Sequence, residues 1–292
     1  MFDVSDEERE KIYEKSWEIG GLRFRSCFND LLVDKAANDT SAEFIKNKIR
    51  QIVKDPETAA KLSNIDHPSS TKRPPIDTHY FEAYNRDNVS LVDVRANPIQ
   101  RITETGIETS DGSHEVDIIV FATGFDAMTG QLLKMDIQGR DGLTIQKAWE
   151  AGPRTYLGLT IDGFPNFFAI TGPGSPSVLT NMPVAIEQHV EWITDCIQHM
   201  EENDIDIVEP TKEAADDWVV HVNDMANATL MPQAGHSWYL GANIPGKPRM
   251  FMPYAGGMDK YRGICDDVAA DDYRGFTKQQ HEQDESAGVA AS

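Results

Sequence analysis

Val116-Asp-Ile-Ile-Val-Phe121, closed by Ala122-Thr-Gly124, constrains this chain more than any other segment. An apolar run this short, broken by one aspartate and ended by glycine, reads as a β-strand buried on both faces. Such a strand needs covering layers on either side, which points to an α/β architecture rather than a helical bundle. A small-residue turn at the carboxyl end of a parallel strand also lets a nucleotide approach the backbone closely.

A second run, Phe167-Phe-Ala-Ile170, leads into Thr171-Gly-Pro-Gly-Ser-Pro176. After it, Ala185, Ile186, His189, Val190, Ile193 and Ile197 fall at amphipathic helical spacing. Glu213–Met225, with Trp218, Val219 and Val220, predicts another helix. Upstream the first ~66 residues read as helices. Ser5-Asp-Glu-Glu8 is a capping box opening a helix with Ile12, Tyr13, Trp17 and Ile19. Thr40-Ser-Ala-Glu43 predicts a second helix start, and Asp55-Pro56-Glu57 a third, with proline where it costs no hydrogen bond. Pro74-Pro75 forbids helix after the polar His67–Thr71 loop. Val89–Val94 reads as a strand; Ile99–Thr103 and Gly106–Thr109 read as a hairpin, with Asp111-Gly112 turning into the next strand. The polar stretch Thr277–Ser292 reads as a disordered tail.

Composition excludes more than it selects. Lys and Arg number 27 against 48 Asp and Glu, a formal charge of −21. That balance argues against nucleic-acid and anionic-membrane partners, which need basic faces. It fits either an ordinary acidic protein or a high-salt cytoplasm. No apolar run approaches the ~18 residues of a membrane span, and the charged Met1–Lys15 segment is no secretory signal. Cys27, Cys196 and Cys265 form no CxxC pair and no even framework, so a cytoplasmic location is expected. The eight histidines show no HExxH pairing, so no metal site is expected. Gly172-x-Ser-Pro lacks the strained elbow of a serine hydrolase.

Four segments, in order, resemble the Baeyer–Villiger monooxygenases of the cyclohexanone and phenylacetone type. They are Thr71-Lys-Arg-Pro-Pro-Ile-Asp-Thr-His-Tyr80 running into Tyr84–Asn88; Asp117–Asp126; Gly163–Phe168 through Gly172-Pro-Gly-Ser-Pro-Ser177 to Asn181-Met182; and Ser237-Trp-Tyr-Leu-Gly-Ala-Asn-Ile-Pro-Gly246. The likeness runs from Gly21 to Phe276. It implies FAD and NADP as cofactors, a ketone and O₂ as substrates, and insertion of one oxygen beside the carbonyl to give an ester or lactone. It implies two doubly wound nucleotide domains with a helical insert. Residues 1–68 would be that insert, 69–124 the return of the NADP domain, 125–278 the C-terminal part of the FAD domain and 279–292 the tail.

The resemblance also assigns residues. Arg73 would be catalytic: it would sit at the flavin face and stabilise the anionic oxygen adduct that attacks the ketone, a task for a cation that cannot lose its proton. Lys72 would help hold the NADP phosphate. Ala122, Thr123 and Gly124 would lie on the cofactor side of the passage between domains. The Gly172–Met182 loop would lie against the flavin, with Ser177, Val178 and Leu179 shaping the substrate pocket beside Met182. The Trp238 indole would bond to the nicotinamide cofactor.

One departure is large. The family carries two G-x-G-x-x-G loops and a Phe-x-Gly-x-x-x-His-x-x-x-Trp-Pro fingerprint; here Gly-x-Gly occurs only at Gly172–Gly174, without a third glycine. The expectation is therefore a C-terminal half, cut before both loops, with incomplete doubly wound sheets. Such a fragment would bind FAD poorly alone and show no oxygenase activity, or would need a second chain for the missing half. A non-catalytic remnant or binding module is the alternative, and an unrelated α/β enzyme whose activity ignores Arg73 is the third reading.

Overall fold

The computed structural model describes residues 1–280. The chain divides into two compact units, Met1–Gly124 and Phe125 onward.

The first unit begins with α1 (Asp6–Ile19), whose N-cap Ser5 accepts from the Glu8 N–H at 3.2 Å, as the capping box predicts. Helix α2 (Lys35–Ile52) starts earlier than Thr40: Asp34 is its cap, accepting from Ala37 N–H at 2.7 Å. The Thr40 hydroxyl is instead spent on the Ala37 carbonyl inside the helix, at 2.8 Å. Helix α3 (Pro56–Ser63) begins where expected, with Asp55 accepting from Thr58 N–H. Tyr13, Leu31, Ala37 and Phe44 form one small core, and Ile49, Val53 and Ala59 another. A one-turn α4 (Tyr80–Ala83) follows, and β1 (Ile99–Ile102), β2 (Gly106–Thr109) and β3 (Gly112–Glu115) form an antiparallel meander. Asp111-Gly112 makes the second turn, as its sequence predicts.

In the second unit a one-turn α5 (Ile145–Ala148) precedes the long α6 (Met182–Glu202). Strand β4 (Ile207–Pro210), helix α7 (Lys212–Asn227), helix α8 (Met258–Ala270) and strand β5 (Phe276–Gln279) complete it. β4 and β5 pair antiparallel. Trp192, Cys196, Val222, Tyr254, Tyr261 and Cys265 lie in its main core.

Three predicted strands are corrected. Among the described residues the sheets are the three-stranded and two-stranded ones above, both antiparallel, so the expected incomplete doubly wound sheets do not form. Val89–Val94 has no strand partner. Val116–Phe121 is unpaired, with Ile118 80 % and Val120 82 % exposed rather than buried. From Phe167–Ile170 only Phe168 forms an isolated bridge, to Thr160. The reason is common to all three: apolar composition reports a preference for burial, whereas a strand also needs a neighbour for its backbone hydrogen bonds. The predicted tail is corrected at its start, because Thr277–Gln279 belongs to β5, and residues 281–292 lie outside the described residues. No described helix is long and apolar enough to cross a membrane.

Candidate functional site

In the first unit the approach to Lys72-Arg73 is fixed from α2. Asn38, 1 % exposed, donates to the carbonyls of Leu31 (2.7 Å) and Ser69 (2.9 Å), and its side-chain carbonyl accepts from Ser69 N–H at 2.7 Å. Thr71 is buried and donates its hydroxyl to the Pro68 carbonyl at 2.7 Å. Beyond this anchor Lys72 is half-buried and Arg73 exposed. Asp66 is held well below the usual carboxylate range, first by its hydrogen bond with His67, then by Arg95 at 2.8 Å, with Lys72 adding positive charge. Asn85 ties the end of α4 to α2, donating to the Ile52 carbonyl and accepting from Lys54 N–H, each at 2.8 Å. Tyr84 donates to Tyr80 at 3.0 Å, and burial with that bond pushes its hydroxyl up to about 12. Ala122, Thr123 and Gly124 are exposed, and Gly124 takes a positive φ of 78° with open space where a Cβ would stand.

The second unit assembles the Gly172–Met182 loop with far tighter constraints. Every residue from Gly172 to Ser177 is buried. Gly174 donates to the Met252 carbonyl at 2.6 Å and accepts from the Trp218 indole at 3.1 Å. Thr155 donates to the Pro173 carbonyl at 2.6 Å, and Tyr254 N–H to the Ser175 carbonyl at 2.7 Å. Glycine is required at 174: φ is 89°, and a Cβ would meet the Trp218 Nε1 at 2.9 Å. Ser177–Leu179 makes one 3₁₀ turn at the loop's end, with Val178, Leu179 and Met182 half-buried. α6 then opens without a side-chain cap from Asn181, and its first turn carries no acidic residue. Its leading N–H groups therefore suit an electron-rich ligand.

Two further predicted segments meet this loop inside the same unit. Lys247, 8 % exposed at its side chain, pairs with Asp126 and donates to the Ala127 carbonyl at 3.1 Å. Met128 then offers its sulfur to the Ser177 hydroxyl at 3.7 Å. Trp238 is half-buried, its ring centroid 4.5 Å from that of Tyr239. Met252 N–H donates to the Tyr239 carbonyl at 2.8 Å, while the Met252 carbonyl takes the Gly174 N–H. The Trp238 segment is thus one residue removed from the loop. Sequence reasoning missed Asn38, Lys247 and Trp218 as anchors; a buried amide and a lysine directly after the Ser237–Gly246 motif were the available signals. Among the described residues no cluster of His, Cys, Asp or Glu could hold a metal ion.

No family model matches the chain. It is similar to a Baeyer–Villiger monooxygenase of Pseudooceanicola batsensis, 46 % identical over 280 residues, covering 95 % of this chain and 50 % of the relative. It is also similar to a phenazine N-monooxygenase of Lysobacter antibioticus, 45 % identical over 276 residues, covering 94 % of this chain and 50 % of that one. Among solved structures, OTEMO in complex with FAD and NADP gives a TM-score of 0.90 at 40 % identity, over 95 % of this chain and 51 % of that one. The chain spans about half the length of the curated relatives it matches.

These findings correct the expectation built on the missing glycine loops. Similarity extends past Gly21–Phe276 to about 95 % of the chain, and about half of a solved structure's fold is followed over that whole extent. That continuous match gives no support to a fragment inactive alone, a non-catalytic remnant or a second chain supplying the rest, and it covers about half of each relative.

Proposed function

We propose that this chain serves an FAD- and NADPH-dependent Baeyer–Villiger oxygenation, placing one oxygen of O₂ beside a ketone carbonyl to give an ester or lactone. The observation that carries this reading is the buried Gly172–Ser177 loop, held on both sides by backbone hydrogen bonds and delivering Ser177, Val178, Leu179 and Met182 to the uncapped start of α6. The likeness to relatives bearing that activity in their names supports it.

FAD and NADPH, when bound, would supply the redox chemistry of O₂ activation. This chain's residues do the rest. Arg73 provides a permanent positive charge for the negative oxygen that develops during transfer, since guanidinium keeps its proton at any working pH. Its exposure leaves that charge solvated until a ligand replaces the water. Lys72 meets a phosphate as a compact cation. Ala122, Thr123 and Gly124 offer backbone without bulky side chains, and the open space at Gly124 fits close approach of a cofactor. Trp238 presents an indole N–H to the nicotinamide side. Ser177, Val178 and Leu179 shape the substrate pocket, with Met182 against the flavin. On this reading residues 1–68 are the helical subdomain, 69–124 the return of the NADP domain and 125–278 the FAD-side part. A cytoplasmic location fits three cysteines that all remain unpaired.

The test is an assay on the chain supplied with FAD, NADPH and a panel of ketones. Wild type forms ester; Arg73→Ala still permits flavin reduction but loses ester formation by roughly a hundredfold or more, the scale of a lost oxyanion donor. Undiminished ester from Arg73→Ala, or no flavin bound by the chain, overturns the reading. An aromatic N-heterocycle belongs in the same panel, because the relative named a phenazine N-monooxygenase is nearly as similar as the one named a Baeyer–Villiger monooxygenase.

A further inference from the structure

The Gly172–Met182 loop rests on an unusual seat. Leu157 and Thr171 both take the left-handed backbone conformation, with φ of 58° and 56°. A β-branched threonine there is strained, and such a residue persists only where its surroundings hold it. Between them the backbones nearly touch. A Cβ at Gly158 would lie 2.4 Å from Ser175 N, and one at Gly172 would lie 2.6 Å from the Gly158 carbonyl oxygen.

One side-chain pair reaches both strained residues. His189 on α6 and Tyr261 on α8 are each fully buried. Thr171 N–H donates to His189 Nδ1 at 2.9 Å. The His189 Nε2 lies 3.1 Å from the Tyr261 hydroxyl, which donates to the Leu157 carbonyl at 2.8 Å. The directions are mutually consistent. Nδ1 is an acceptor, so the neutral ring carries its proton on Nε2 and donates to Tyr261, whose own proton serves Leu157.

We propose that His189 and Tyr261 are positioning residues that clamp the seat of the Gly172–Met182 loop, one bond to each strained residue, and so set where Ser177–Met182 stand toward substrate. The first half of this inference is geometric; the second rests on the loop's substrate-side reading above. Burial alone pushes the His189 imidazole down to about 4, and burial pushes the Tyr261 hydroxyl well above its ordinary value, so neither group changes charge near neutrality. The clamp is therefore a fixed support and not a proton relay.

Isosteric variants separate the two bonds. Asn carries an oxygen at the reach of Nδ1, whereas Gln places its polar atoms at the reach of Nε2. Amide hydrogen exchange on the full chain should show Thr171 exchanging roughly tenfold faster in His189→Gln, the scale of one lost hydrogen bond. His189→Asn should stay near wild type at Thr171. Tyr261→Phe should speed exchange at Leu159, beside the freed Leu157 carbonyl, and carries the same comparison if His189→Gln fails to fold. Steady-state kinetics then read the second half: KM for ketone should rise several-fold in His189→Gln with kcat less affected, and His189→Asn should restore it. Unchanged Thr171 and Leu159 exchange in these variants overturns the clamp. Faster exchange with unaltered ketone KM keeps the clamp and overturns the loop's substrate-side assignment.

Discussion

In the first unit the cationic Lys72-Arg73 segment follows the buried anchor Thr71 with Lys72 half-buried and Arg73 exposed, whereas in the second every residue from Gly172 to Ser177 is buried. The difference follows from what each segment carries. A guanidinium keeps its charge at any working pH and is costly to bury, which favours holding it at the surface beside an anchored segment. The glycine-proline loop carries only backbone polar groups, and each can be paired at fixed geometry in the interior. The first unit thus positions a charge through a tether, and the second positions a shape through packing.

The contrast can be broken most severely from the packed side. Trp218→Ala removes the indole beneath Gly174 and leaves the Gly174 carbonyl without its donor; about 3–5 kcal/mol of stability should be lost in urea unfolding. A loss near 1 kcal/mol would mean that the loop does not depend on α7. Lys247→Met strands Asp126, and about 1–3 kcal/mol should follow, read by the same method, with Asp126→Asn in the double variant recovering much of it. On the tethered side, Asn38→Leu should cost about 1–3 kcal/mol and release Ser69, seen as faster amide exchange there. If Ser69 remained protected, the tether would lie elsewhere.

A pH titration of stability between about 6.5 and 4 probes the packed side. His189 titrates near 4 in the folded chain and near 6.5 when unfolded, so between these values the unfolded state binds the extra proton. Stability is complete above ~6.5, falls with a slope of up to about one proton as pH drops toward 4, and levels below that as far as this group is concerned. His189→Asn should flatten this slope; an unaltered slope would assign it to other groups. The smallest effects compare helix starts: Asp34→Ala on α2 and Thr211→Ala on α7 should each cost about 1 kcal/mol in thermal unfolding.

Much of the local structure was legible in advance. Ser5 and Asp55 cap the helices they were expected to cap, α6 and α7 form where helices were expected, although Ile186, Val190 and Ile197 of the expected α6 face and Val220 of α7 are exposed, and Asp111-Gly112 turns the meander. The three failed strands were not legible in the same way. Val116–Phe121 has the composition of a covered strand yet stands unpaired with its large side chains exposed, because pairing is supplied by another segment and not by the run itself. Of the candidate site, Ser177, Val178, Leu179, Met182 and Trp238 were named from motifs; what supports them was not. Asn38 meets Ser69 across 31 residues, Tyr261 meets His189 across 72, and Lys247 meets Asp126 across 121.

The sequence by itself determined where α1 and α3 begin, where Asp111-Gly112 turns the chain, and that the net charge is strongly negative. Those properties depend on residues within about four positions of one another or on simple charge counting. Tertiary structure alone decided that Arg73 stands in solvent, that Val116–Phe121 forms no strand, and that two strained residues at Leu157 and Thr171 share one buried histidine–tyrosine clamp. Each of these depends on partners far away in the chain, whose encounter no local pattern encodes.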